Sequence, residues 1–300
     1  MMDLSPNLPC SPLLVATDFS PSANLAIDRA AQLAAQHDWP LHLAHAITPS
    51  FLDDLQRLIS TQAPSLSSAL IGEAMAELQQ LAIDPQHTHG VESDCHILIG
   101  KPVDALLQHA ADLAARLLVI GSRGETSLRH LTVGSTAARL LRKTRRPVLV
   151  VKSETQKPYQ HALVCLDFSP ASLDALHLVQ DIAPQAALTL LHVLELPYEG
   201  KMRYAGVSSD IIQQYRMQAQ NQGLQQLREL AASEQIAPAT SNLLALHGNA
   251  AGLIHELEST QNCDLIVMGR RGSQLMEELL LGSTTRYVVD ESRGDVLIAA

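Results

Sequence analysis

Short apolar runs alternate along the chain with longer segments in which apolar residues recur every three or four positions. The runs at 13–17 (LLVAT), 41–47 (LHLAHAI), 95–99 (CHILI), 117–121 (LLVIG) and 148–152 (VLVVK) have the length and branched content of buried strands. Between them, 22–36, 66–82, 102–115 and 135–143 are Ala- and Leu-rich with polar positions on the opposite face, the pattern of amphipathic helices. The second half repeats the alternation, with strands expected near 162–166, 187–194, 241–247, 264–268 and 295–300. Strands that alternate with helices predict right-handed crossovers and a mostly parallel sheet covered on both faces. The expected architecture is α/β: two doubly wound, five-stranded parallel-sheet domains.

The two halves are copies. Asp18-Phe19-Ser20-Pro21 recurs as Asp167-Phe168-Ser169-Pro170, an offset of 149, and Leu41-His42-Leu43-Ala44-His45 is echoed at 188–192, an offset of 147. Gly100, Gly121, Gly124, Gly134 and Ser135 match Gly248, Gly269, Gly272, Gly282 and Ser283, all at 148. Offsets this constant define an internal repeat. The boundary falls in the polar stretch 153–158 (SETQKP), giving a first domain over 1–153 and a second over 158–300.

Composition narrows the function. The 300 residues are 46% hydrophobic but only 3% aromatic, so the cores rest on Ala, Leu, Val and Ile, which suits helices on a parallel sheet. A net charge of -10 argues against a nucleic-acid partner. No apolar run approaches the roughly 20 residues that span a bilayer, so no membrane partner is expected. The first twelve residues have neither the basic start nor the apolar core of a secretory signal. The cysteines Cys10, Cys95, Cys165 and Cys263 have no CxxC spacing, which points to a reducing, cytoplasmic location without disulfides or zinc. The 13 histidines lack ligand spacing, and no metal site is read from them.

Candidate chemistry sits at strand ends, where ligands bind in doubly wound sheets. After strand 1 comes Thr17-Asp18-Phe19-Ser20. After strand 4 comes Gly121-Ser122-Arg123-Gly124, nine residues, then Gly134-Ser135-Thr136 opening a helix. The second copy reads Gly269-Arg270-Arg271-Gly272, nine residues, then Gly282-Ser283-Thr284. Glycine permits positive φ and close approach to the main chain, and a helix start offers N–H groups, hydroxyls and a favourable dipole to phosphate. The spacing is neither a Walker A loop nor a GxGxxG fingerprint. Asp18 and Asp167 also suit the N-cap of the following helix. His45 and His192 lie in apolar strand ends and read as packed core residues. Arg123 and Arg271 suit either phosphate contact or a solvated loop, and the run Arg139, Arg142, Lys143, Arg145, Arg146 reads as a solvated helix end.

The G-x2-G-x9-G-[ST] spacing after a strand, with a strand ending in Asp far upstream, resembles the ATP-binding subgroup of the universal stress protein family. The resemblance covers nearly the whole chain, twice. It implies a Rossmann-like sheet of the adenine nucleotide alpha hydrolase type with strand order 3-2-1-4-5. It also implies an Asp beside the nucleotide, glycines and a Ser around the phosphates, and backbone contacts to adenine from the residue after the strand-2 histidine. Those positions are Asp18, Ala46, Gly121, Gly124, Gly134 and Ser135, joined by Arg123 and Thr136, and in the second copy Asp167, Val193, Gly269, Gly272, Gly282 and Ser283. Ala46 stands where the family usually has Val. ATP with accompanying Mg²⁺ is the implied ligand. The last strands, 148–152 and 296–300, are implied to pair as an intramolecular pseudo-dimer or in a homodimer.

The copies differ in charge. Residues 1–152 carry 12 basic and 14 acidic side chains, against 9 and 17 in the remainder, and Arg129-His130 in the first spacer becomes Glu277-Glu278 in the second. Like charges repel at any dielectric, so a triphosphate is expected to prefer the first copy. The resemblance implies a nucleotide-responsive regulator of stress tolerance, and the sequence shows no constellation for efficient hydrolysis. An interaction scaffold is the other reading, with 48–66 and 195–215 (holding Tyr198, Tyr204 and Tyr215) carrying recognition. A synthetase- or pyrophosphatase-type enzyme would need an SGGxDS-like or HIGH-like loop after strand 1, and DFSP is neither.

Overall fold

The computed structural model describes residues 11–50, 64–84, 87, 89–124, 134–154, 157–194, 196, 199–270 and 281–299. The chain divides into two compact units, Met1–Pro158 and Tyr159–Ala299. In the first, the order is β1 (Leu13–Ala16), α1 (Pro21–His37), β2 (Leu41–Ile47), α2 (Pro64–Ile83), β3 (Ser93–Ile99), α3 (Pro102–Asp112), β4 (Leu117–Gly121), α4 (Ser135–Lys143) and β5 (Val148–Val151). The strands run parallel in the order β3-β2-β1-β4-β5, as expected from the sequence.

The second unit repeats this plan. β6 (His161–Cys165), α5 (Pro170–Ile182) and β7 (Ala187–Leu194) lead into α6 (Glu199–Tyr204) and α7 (Ser209–Ser233). β8 (Ser241–His247), α8 (Ala250–Gln261), β9 (Leu265–Gly269), α9 (Ser283–Glu291) and β10 (Asp295–Ala299) complete it. Its parallel order is β8-β7-β6-β9-β10.

Burial explains why the central strands read as continuous apolar runs. Leu13, Leu14, Val15, Leu117, Leu118, Val119 and residues 148–151 have no solvent exposure, because helices cover both faces. Helix α1 lies on β1, β4 and β5 through a face of small side chains, Ala23, Ala26, Ala30, Ala31 and Ala34, all buried. A scarcity of aromatics is compatible with this close approach. Arg29 on α1 is buried, and its guanidinium donates to the Lys157 carbonyl at 2.8 Å and to Ser153 Oγ at 3.4 Å, which ties the polar stretch after β5 to the first unit.

The turn after β1 carries the first candidate residues. Phe19 adopts φ 63°, and Phe168 repeats it at 60°, a left-handed conformation that a bulky residue adopts only under constraint. The constraint is local. The Thr17 hydroxyl accepts from Phe19 N–H at 3.0 Å, and Asp18 Oδ1 accepts from Ser20 N–H at 3.2 Å. Ser20, not Asp18, then caps α1, accepting from Ala23 N–H at 3.2 Å ahead of Pro21 at the first helical position. Ser169 caps α5 in the same way. Asp18 and Asp167 are therefore turn-forming residues, one position pair upstream of the caps.

Replacing Ser20 with Ala is expected to lower the unfolding free energy of the first unit by about 1 kcal/mol, read from the urea midpoint at unchanged slope. A shift below about 0.3 kcal/mol would show that the cap contributes nothing there.

Candidate functional site

The chain leaves β1 toward β2 and later returns to the other flank of β1 as β4, so Val15 pairs with both Leu43 and Val119. A crevice opens where the order reverses, at the carboxyl ends of β1 and β4. Asp18 follows the first of these strands and Gly121 ends the second. Between them lies a cavity of about 350 Å³. Asp18, Ala46, Gly121, Arg123, Gly124, Gly134, Ser135 and Thr136 all line it, so every first-copy candidate reaches one space. Its apolar side is built from Ala16, Ala23, Ile120, Ala137 and Leu140, with Pro102 and Leu106 supplied by α3.

The glycines act by close approach rather than by positive φ, which none of Gly121, Gly124 and Gly134 adopts. A Cβ on Gly121 would fall 2.5 Å from the Ser22 carbonyl oxygen of α1, and one on Gly124 would fall 2.7 Å from Asp18 Oδ2. Gly134 is the N-cap of α4, with φ -56° and ψ 151°, and it supplies no side-chain acceptor. Its N–H closes the loop onto the Ser122 carbonyl at 2.9 Å. The first-turn N–H groups of Ser135, Thr136 and Ala137 have no intrahelical acceptor, and none among the described residues. Three donors and the positive end of the helix dipole thus border a cavity that the Asp18 carboxylate also lines. Arg142 and Lys143 in the last turn of α4 complement the opposite end of that dipole.

The sequence reading missed Ser22 and misread His45. Ser22 Oγ accepts from the Arg123 N–H at 3.2 Å and lies 3.5 Å from Ser122 Oγ, so α1 pins the first half of the glycine loop. His45 is half-buried on the cavity wall and is not an interior packing residue. Its Nδ1 is 2.9 Å from the Thr17 carbonyl oxygen, which makes Nδ1 the protonated nitrogen, and its ring lies 4.4 Å from that of Phe19. The pair clamps the strained turn that holds Asp18. His192 repeats it, at 2.8 Å from the Leu166 carbonyl and 4.7 Å from the Phe168 ring. The recurring strand-2 His and DFSP turn were visible in sequence, but their contact was not.

Residues 11–152 and 158–300 each match the universal stress protein family. The chain belongs to the universal stress protein family. A universal stress protein of Mycolicibacterium smegmatis is 29% identical over 187 residues, which are 60% of this chain and 63% of the relative's length. One of Mycobacterium bovis is 21% identical over 96% of this chain and 94% of its own. A crystal structure of a universal stress protein from Archaeoglobus fulgidus, 17% identical, superimposes with a TM-score of 0.68 over 96% of this chain and 97% of that one, a likeness of fold.

The two halves of this universal stress protein build the same position differently. In the second unit, Asp167 Oδ1 accepts from the Ser169 N–H at 3.1 Å and from the Ser169 hydroxyl at 2.6 Å. Gly282 caps α9 with φ -57° and ψ 148°, and its N–H reaches the Arg270 carbonyl at 3.3 Å. Ser283 opens the helix, exposed, and Val193 is half-buried on β7. The small wall residues Ala16, Ala46 and Ala137 become Cys165, Val193 and Thr285. Thr285 is buried and its hydroxyl lies 3.4 Å from the carbonyl oxygens of both Gly269 and Arg270, while Arg270 itself is buried where the first copy has Ser122. Burial holds the Cys165 thiol neutral, its pKa pushed up to about 12. Gly272, Arg271, Arg129, His130, Glu277 and Glu278 lie outside the described residues. Among the described residues no helix is long and apolar enough to cross a membrane.

Gly121→Ala is expected to push α1 off β4 and destabilise the first unit by about 1–3 kcal/mol, measured by urea unfolding. A neutral result would mean that Ser22 and β4 separate without cost.

Proposed function

We propose that this universal stress protein belongs to the ATP-binding subgroup, that the first domain holds the principal nucleotide site, and that it acts as a nucleotide-responsive regulator rather than an efficient hydrolase. The observation that carries the reading is the convergence of all eight first-copy candidates on one cavity of about 350 Å³. The amides at the start of α4, without acceptors among the described residues, suit phosphate oxygens, and the apolar floor from Ala46, Ile120 and Leu140 suits a base. Asp18 beside Gly124 opposes a bare triphosphate. The Asp18 carboxylate and the Ser135 and Thr136 hydroxyls are hard oxygen donors of the kind Mg²⁺ takes, so the ion carried in with ATP fits this rim.

Two features support unequal sites. The wall substitutions Cys165, Val193 and Thr285 each add volume, and the Thr285 hydroxyl turns onto the loop carbonyls. The charge balance of the second half, 9 basic against 17 acidic side chains, disfavours an anionic ligand further.

The test is to purify the protein without added ligand, denature it and identify what is released, alongside ATP titrations of Gly124→Glu and Gly272→Glu. The reading expects adenine nucleotide from the native chain and a loss of ATP affinity of at least about tenfold from Gly124→Glu, with little change from Gly272→Glu. A clean apoprotein indifferent to added ATP would leave an interaction scaffold on the same fold. A larger loss from Gly272→Glu would reverse the ranking of the sites.

A further inference from the structure

Away from the cavity, three imidazoles meet on the face of the first sheet that α3 covers. His42 on β2 and His96 on β3 stack at 5.1 Å and 15°, with His42 Nδ1 2.9 Å from His96 Nε2. The ring of His109, near the carboxyl end of α3, lies 4.5 Å from that of His96, and its Nε2 is buried without a hydrogen-bond partner. The other end of this short helix supplies Pro102 and Leu106 to the cavity wall. One helix therefore joins the histidine cluster to the candidate site.

We propose that His42, His96 and His109 form a proton-operated latch that seats α3 on the sheet at neutral pH and releases it on acidification, loosening the cavity wall that α3 provides. Its effect on the cavity's ligand rests on the nucleotide reading; the latch does not.

The neutral cluster is self-consistent. One nitrogen of the His42–His96 pair donates and the other accepts, which uses a single proton between them. A first added proton on His42 is offset by Asp94, 3.7 Å from His42 Nε2, but that carboxylate is 76% exposed and its pull is screened. A second proton leaves two donors facing each other, and a proton on His109 Nε2 meets no acceptor. Among the described residues the other charged group acting on the cluster is Asp112, on α3 near His109. By the right-handed crossover rule, α2 covers the opposite face of β2 and β3. Burial is the main cause that lowers the pKa of all three rings; the neighbouring imidazoles lower them further, while Asp94 opposes the shift at His42 and His96 and Asp112 opposes it at His109. Folded values below the ordinary value of about 6.5 mean that the latch is intact above that pH and is lost as the pH falls through the folded values.

The second domain is an internal control. The matching positions hold Thr189, Leu244 and Leu257, and Thr189 Oγ1 donates to Gln261 Oε1 at 2.7 Å to join the sheet to its helix with groups that do not titrate. The fold therefore does not need imidazoles here. His42 Nδ1 and His96 Nε2 face each other across a hydrogen bond instead of converging on an ion, and among the described residues no cluster of His, Cys, Asp and Glu is arranged for a metal.

Hydrogen–deuterium exchange on the full chain, corrected for the intrinsic pH dependence of exchange, reads the latch without any ligand. Between about pH 7.5 and pH 5.5 the protection of 102–112 is expected to fall about tenfold, while 283–291 keeps its protection. The triple variant His42→Thr, His96→Leu, His109→Leu installs the second domain's residues and is expected to hold 102–112 at both pH values. His96→Gln, which keeps a hydrogen-bonding side chain but cannot titrate, is expected to blunt the response. An unchanged native chain, or an equal loss in the variants, overturns the proposal, as does a zinc-induced rise in melting midpoint that requires His96. ATP affinity is expected to weaken about tenfold over the same interval in the native chain and to stay level in the triple variant. If exchange responds to pH while ATP binds at neither value, the nucleotide reading fails and the latch stands.

Discussion

A helix begins with N–H groups that its own backbone cannot satisfy, and at α4 the residue in the cap position is a glycine that offers them nothing. The first domain is arranged around that deficit. Gly134 brings its N–H back to the Ser122 carbonyl, which closes the loop beside the crevice that Ser135, Thr136 and Ala137 line. Gly121 lets α1 approach until Ser22 can hold the Arg123 amide, and Gly124 lets the Asp18 carboxylate come against the loop. The left-handed turn at Phe19, clamped by His45, fixes the position of that carboxylate. In the proposed reading, phosphate oxygens take up the amides and the accompanying cation offsets the charge of the acid.

Duplication allows each feature to be weighed against its copy. Turn, cap and clamp recur in the second domain with nearly the same distances, so they belong to the fold. What changes is the lining: three alanines give way to Cys165, Val193 and Thr285, and Ser122 to a buried Arg270. The scaffold has been kept while the space it encloses has been altered, which is the expected result when one of two sites carries the ligand. The histidine cluster on α3 diverges in the same way, since Thr189 and Gln261 do the joining in the second domain. Charge follows the same division, with most of the surplus of acid lying after residue 152.

Much of this was legible in sequence. Apolar runs gave the strands to within two residues, because fully covered parallel strands leave few polar positions to blur the pattern. The motif spacing identified the cavity residues, because strand ends and helix starts must meet at the topological switch. Other features depend on contacts between distant segments. Ser22 looks like any polar residue in a first helical turn until its hydroxyl meets residue 123. His42, His96 and His109 come from three elements at unrelated spacings, so no linear motif joins them. Of the two roles that glycine offered, the loop uses close approach and not positive φ, and the N-cap role that Asp18 suited falls to Ser20 while Asp18 shapes the turn.

The central claim concerns the amides at the start of α4, and a titration of the ¹⁵N-labelled full chain with ATP and Mg²⁺ observes them directly. The account predicts saturable shifts at Gly124, Ser135, Thr136 and Ala137, with Ser283 and Thr285 in the second domain still. Shifts confined to Ser283 and Thr285, or no shift at Ser135 and Thr136 at saturating nucleotide, would contradict it.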